Sequence, residues 1–179
     1  LESLPGCIIG KQLLLAAMFR ALVPELIRFV RKNLKETVAT TDLNLVSSLF
    51  SLMDSMVKPH IRVEGEDPLT AEELKKLADI VGSLFLFSMV WSVGASCDKE
   101  GRLKFDKFMR ETVALRCSKM VKPFMPPDSE SVYEWCFDQE SLEWVHWMDT
   151  IPPFECNPDL PFSEIIVPTP DTVRYTFLL

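Results

Sequence analysis

The chain is poor in the residues that build catalytic centres. It has two histidines, His60 and His146. His60 lies in a loop after a proline, and His146 sits between Val145 and Trp147 in a stretch that reads as a strand. Neither belongs to a set of three or four converging ligands, so both are read as structural and no metal site is expected. The five cysteines are Cys7, Cys97, Cys117, Cys136 and Cys156, with no CxxC pair. An odd count without such a pair points to neither a zinc site nor a disulfide framework. Reduced thiols in a cytosolic compartment are the simpler reading. No GxSxG nucleophile turn occurs. GCIIGKQ, residues 6–12, is not a phosphate loop: it has three residues between its glycines where four are needed. Gln12 also stands where a magnesium-holding Ser or Thr belongs, and no strand precedes it. Positive charge is short as well. Lys and Arg total 19 against 26 Asp and Glu, a net charge of −7, which excludes a general nucleic-acid binder. No basic segment precedes the first apolar residues, so no signal peptide is expected. The apolar stretches Cys7–Val23 and Ile80–Val93 are too short or too interrupted to span a membrane. Repeats and low-complexity tracts are absent.

What the chain does have is apolar content, 47%, enough for a substantial core. Its first two thirds are helical in pattern. Gly10–Lys32 carries Leu14, Met18, Leu22, Leu26, Phe29 and Val30 at helical spacing, with Pro24 expected to kink or split it. Thr40–Thr41–Asp42 supplies capping residues for a second helix to about Val57. That helix has Leu45, Leu49, Leu52, Met53 and Met56 on one face, and Pro59 ends it. Residues 60–69 read as a polar loop. Thr70-x-x-Glu73 is a capping box and opens the longest helix, to about Cys97. The second half of that helix is apolar nearly all round, which implies burial on several sides. Asp98–Gly101 reads as a turn, with a fourth helix from about Arg102 to Arg116. Four helices on short connections predict a bundle.

The texture changes at Lys122. Pro123, Pro126 and Pro127 mark a linker. SVYEWCFDQESLEWVHWM then alternates aromatic and polar residues about a turn at Asp138–Ser141, which predicts a β-hairpin. On that reading Tyr133, Trp135 and Phe137 share one face of the first strand. Residues 149–161 form a proline-rich extended connector. Glu164–Pro168 is a β-branched extended segment, and Thr169 with Pro170 opens a short helix carrying Val173, Phe177 and Leu178. So short a final element suggests a piece of something larger. Glu72/Glu73, Glu64/Glu66 and Asp128/Glu130 sit in loops or a helix's first turn, where solvation or helix-end stabilisation explains them.

Four stretches carry a resemblance to a known family. IIVPTPDTVRYTFLL resembles the opening of the third AAA+ module of a dynein heavy chain, and DTIPPFECNPDLPFSEIIVPT resembles the lead-in to it. FLFSMVWSVGASCDKEGRLKFDKFMR resembles the small helical lid of the second module. EWVHWMDTIPPFE resembles the axonemal branch. The resemblance implies a mainly α fold: a four-helix AAA+ lid bundle at 1–122, a proline-rich linker with a β-hairpin at 123–161, and the extended N-terminal segment of the next α/β module at 162–179. It implies a part of a ciliary motor ring whose intact protein binds ATP and ADP and moves towards microtubule minus ends. Implied partners are the neighbouring AAA+ modules, microtubules and dynein intermediate and light chains, with no nucleic acid and no membrane. Ile165, Ile166, Val167, Pro168 and Thr169 would lie on the adenine side of the third module. Lys75 and Lys76 occupy the region of the third lid helix that faces phosphates in the family. This piece alone would neither hydrolyse ATP nor hold it stably. The alternative expectation is an autonomous helical adaptor using the Leu84–Val93 face and the aromatic hairpin as an exposed patch.

Overall fold

The computed structural model describes residues 6–60, 70–117, 124–154, 161 and 167–178, with side chains from 14 onward except at 74, 78 and 79. Two compact units follow one another, Leu1–Tyr133 and Glu134–Leu179.

The first unit is built on α1 (Gly6–Asn33), α2 (Asp42–Val57), α3 (Ala71–Ser92) and α4 (Lys99–Arg116). The predicted split of α1 does not occur: the helix runs as one element with Pro24 inside it. Met18, Leu22 and Val23 before the proline and Leu26, Ile27 and Val30 after it are all buried. One continuous apolar stripe holds the helix together and outweighs the single lost backbone bond. Thr41 caps α2 in a reciprocal box: its hydroxyl accepts from the Asn44 amide at 3.2 Å, and the Asn44 side chain accepts from the Thr41 amide at 3.0 Å. Thr70 and Glu73 do the same for α3, at 3.3 and 2.8 Å. Both boxes satisfy donors that a helix start leaves orphaned.

α3 is the centre of the bundle and packs against α1 and α2, while α4 packs against α1. Phe29 of α1 stacks on Phe108 of α4 with ring centroids 3.9 Å apart. From Leu84 to Val93 every residue is buried. The exposed apolar face proposed for an adaptor is therefore absent, because those side chains are the core itself. Two boundaries also differ from expectation. α3 stops at Ser92, not Cys97, because the chain turns at Gly94 and Cys97 bridges back to Glu36 in an isolated antiparallel pair. α4 begins at Lys99, not Arg102: Asp98 is its N-cap and accepts from the Gly101 amide at 2.7 Å.

The second unit holds the predicted hairpin, shorter than expected. β1 (Trp135–Asp138) and β2 (Glu143–His146) pair antiparallel, with Phe137 opposite Trp144 and Trp135 opposite His146. Asp138 shapes the turn by accepting from the amides of Glu140 (3.3 Å) and Ser141 (2.9 Å), and Leu142 takes φ 62°. Val132–Glu134 is a 3-10 turn, so Tyr133 is not a strand residue and does not share a face with Trp135 and Phe137. A second 3-10 turn, Trp147–Thr150, packs against α5 (Pro170–Leu178), with Trp147 edge-on to Phe177 at 5.3 Å. Thr169 and Pro170 open α5 as expected. The Thr172 amide donates to the Thr169 hydroxyl at 3.3 Å, and the Thr169 amide donates to the Thr172 hydroxyl at 2.8 Å.

Candidate functional site

The chain leaving α4 is fastened to the bundle as a strap, residues 124–133. Proline is the reason it needs fastening from outside. Pro126 and Pro127 carry carbonyls but no N–H, so this stretch cannot join a ladder. Arg110 of α4 supplies the missing donors. Its guanidinium donates to the carbonyls of Pro126 (3.1 Å), Pro127 (2.9 Å) and Glu130 (3.1 Å), and to Asp106 one turn earlier (2.8 Å). Asp106 in turn accepts from the Val132 amide at 3.3 Å. Only a planar fork with five donors serves so many acceptors at once. Upstream, Phe124 lies over Gly82: a Cβ there would sit 2.5 Å from the ring's Cγ, so the close approach needs glycine.

The strap ends on Tyr133, which enters the bundle. Its hydroxyl donates to the Gly94 carbonyl at 2.8 Å, and its ring meets Trp91 edge-on at 5.7 Å. The Arg102 guanidinium stands over both rings, 5.3 Å from Tyr133 and 5.9 Å from Trp91. Burial pushes the Tyr133 phenol well above its ordinary pKa, so it stays a hydrogen-bond donor.

A polar knot gathers where the α1–α2 loop meets the α3–α4 connection, close in sequence to Gly94. Arg31 pairs with Glu36, with Asp42 at 2.9 Å and with the Thr40 hydroxyl at 3.1 Å. Ser96 donates to Glu36 at 3.0 Å, and the Thr37 amide donates to the Ser96 carbonyl at 2.8 Å. Burial alone would raise the Glu36 pKa. The bonds from Thr40, Ser96 and Arg31 outweigh it and hold the carboxyl low. The knot ties the α1–α2 loop to the α3–α4 connection.

The expected nucleotide-side segment is only partly in view. Ile165 and Ile166 lie outside the described residues. Val167 is exposed, at 54%. Thr169 serves as the cap of α5. Pro168 lines an open cleft of about 900 Å³ in the second unit, together with Phe137, Asp138, Thr150, Thr172 and Phe177 among others. Lys75 and Lys76 are exposed on the first turns of α3. The His146 Nδ1 accepts from the Met148 amide at 3.3 Å and its ring packs edge-on to Trp135. Among the described residues no group of His, Cys, Asp and Glu is arranged to hold a metal. Cys97, Cys117 and Cys136 are free and buried. Burial raises all three pKa values, that of Cys136 to about 12, which leaves them as thiols rather than nucleophiles.

The first unit is thus a four-helix bundle with its exit strap bolted down by its last helix. Residues 15–149 match the dynein heavy chain AAA lid domain. The chain belongs to that family. The match runs from α1 through the strap to the end of the hairpin. Human dynein axonemal heavy chain 1 is 32% identical over 91% of this chain, and human dynein axonemal heavy chain 2 is 32% identical over 92%. The Chlamydomonas reinhardtii dynein-1-alpha heavy chain of the flagellar inner arm I1 complex is 31% identical over 81%. The chain spans only 3–4% of the length of these relatives. The resemblance to axonemal dynein heavy chains read from the sequence therefore holds across nearly all of this AAA lid chain. None of its described helices is long and apolar enough to cross a membrane.

Sequence reasoning did not find Arg110 or the buried Arg174 of α5. Asp106 and Arg110 at i, i+4 were a visible ion pair, and the paired prolines that follow signalled carbonyls in need of donors. Tyr133 was legible as one of the hairpin aromatics, but not as the residue whose hydroxyl bonds the Gly94 carbonyl.

Proposed function

We propose that this chain is a coupling segment of an axonemal dynein heavy chain, joining the lid of the second AAA+ module to the start of the third. In the intact protein it works in the axoneme of a cilium or flagellum, within a motor that hydrolyses ATP and moves towards microtubule minus ends. ATP or ADP occupies the neighbouring modules, and Ile165–Thr169 forms the adenine side of the third. Lys75 and Lys76 reach towards the nucleotide of the lid's own module. Its partners are those modules directly, and microtubules and intermediate and light chains through the rest of the heavy chain. Nucleic acid and membrane play no part.

The observation that carries this reading is the strap. A connector tied at Gly82, Arg110 and Gly94 moves with α3 and α4 as a rigid body, so motion of the lid is passed on rather than absorbed in slack chain. The segment contributes mechanics and no chemistry of its own. The test is Arg110→Met in the intact heavy chain, with ATP turnover measured with and without microtubules. Basal turnover should persist while its stimulation by microtubules and the gliding velocity fall. Full stimulation in a motor whose strap amides exchange faster would refute coupling through the strap. For the adenine side, Val167→Asp should weaken labelled-nucleotide binding in a chain extended through the whole following module. Unchanged affinity there would make the segment scaffold.

A further inference from the structure

The first unit has an open groove that shares no residue with the strap or the knot. α1 and α2 both pack on α3, and the groove lies between them, with a volume of about 350 Å³. Leu49, Met53 and Phe85 form its floor and are buried. Phe19 of α1 stacks on Phe50 of α2, ring centroids 5.4 Å apart and 13° from parallel, and the pair makes a wall. Phe50 is nonetheless 56% exposed. A large ring left half in water beside a buried apolar floor is surface that folding has not covered.

Every residue lining the groove is apolar except Arg20, which is exposed at its rim. The other described arginines of the first unit are engaged: Arg28 and Arg116 with Glu25, Arg31 with Glu36, Arg102 with the Ala95 carbonyl and Arg110 with Asp106. Arg20 alone has no ion pair or hydrogen bond among the described residues, in a chain of net charge −7. The groove therefore offers an apolar floor and one unspent positive charge.

We propose that this groove binds a small amphipathic monoanion, a medium-chain carboxylate in chemical class, with its hydrocarbon tail over Leu49, Met53 and Phe85 and its head on Arg20. Size favours a small molecule: a stable protein interface buries about 800 Å² on each partner, whereas single-ligand sites run from about 300 to 1,000 Å³. Charge sets the head group. The guanidinium fork matches the two oxygens of a carboxylate, and the apolar wall beside it strengthens that pair by excluding water. One cation answers one negative charge. The lining residues come from the middles of α1 and α2, so no helix N-terminus adds to it, and a phosphate dianion is poorly served. Coupling through the strap plays no part in this site.

The test uses the intact heavy chain, titrated with hexanoate, octanoate and decanoate, and with decanol as the uncharged probe. Hydrogen exchange is read over 14–20 and 42–57, with α4, 99–116, as the internal reference. The carboxylates should slow exchange in α1 and α2 saturably and leave α4 unchanged, with affinity rising about fourfold for each added CH₂ that fits. Arg20→Met keeps an apolar stem at an exposed position; it should weaken decanoate about tenfold and leave decanol unchanged. Phe50→Ala, also exposed, should weaken both probes. Slowing that does not saturate, or that ignores chain length, is non-specific association and overturns the site. Equal loss of decanoate and decanol in Arg20→Met overturns the role of the charge and with it the ligand class. Exchange over 42–57 that is already slow and that no probe alters means another part of the heavy chain fills the groove, and the proposal falls.

Discussion

Arg110→Met removes the clamp and leaves most of the side-chain volume in place. Three carbonyl bonds are lost, each worth about 0.5–1.5 kcal/mol net. The carbonyls of Pro126, Pro127 and Glu130 can recover part of this from water, since two of the three bonds are exposed. The Asp106 pair is better protected, with side chains 22% and 17% exposed, so its carboxylate is left poorly compensated. Together these predict a loss of about 2–3 kcal/mol from the first unit. Arg110→Lys is the informative control. Lysine keeps the charge against Asp106 but offers a point rather than a fork, so it should recover only about half of the loss. Urea melts of the chain give the free energies, and exchange at the Val132 amide, which donates to Asp106, reports the strap directly. If Arg110→Met lies within about 0.5 kcal/mol of the parent, or lysine matches arginine, the clamp holds nothing and the argument fails.

Trp91→Ala should cost about 3–5 kcal/mol, because the ring is 8% exposed between Phe87, Tyr133 and Arg102; a loss below about 1 kcal/mol in the same melts would contradict that packing. Gly82→Ala should cost about 1–3 kcal/mol by driving a methyl into the Phe124 ring, and a neutral outcome would mean the ring moves freely aside. The Asp138 carboxyl is held low by the Ser141 hydroxyl and amide and by the amides of Glu140 and Gln139. Its folded pKa lies below the unfolded value of about 3.9, so its contribution is present above that pH and fades as pH falls through the folded pKa. Hairpin amide protection should therefore drop in acid, and Asp138→Asn should flatten that drop; an unchanged acid profile refutes the role. The chain alone should release no phosphate from magnesium ATP, and turnover that survives repurification would overturn this.

The helices and their starts were legible because local chemistry decides them. Thr41, Thr70 and Thr169 act as caps, and the apolar spacing of α2 and α3 matches what is buried. Boundaries failed where tertiary contacts decide. Nothing within four residues of Gly94 says that a tyrosine 39 residues on will bond its carbonyl and end α3 there. Likewise Asp98–Gly101 has the residues of a turn and also of an N-cap, and the bundle selects the helix. Pro24 shows the reverse case, where a strong local breaker loses to a long buried stripe.

α5 gives the sharpest instance of why the rest stayed hidden. Periodicity picks Val173, Phe177 and Leu178 as its buried face, yet Phe177 is 46% exposed and Arg174 is buried. A pattern of apolar letters assumes that charge faces water, which holds when the alternative is an unpaired ion in the interior. Glu134 removes that penalty, and it does so from a distance no window along the sequence covers. Arg110 follows the same logic with backbone carbonyls in place of a carboxylate. Both arginines hold a connector in place through partners 16 to 40 residues away. The residues that fix this segment's geometry are therefore charged ones that a hydropathy pattern assigns to solvent, and their signature in sequence is a lone cation amid acids or beside prolines that cannot satisfy themselves.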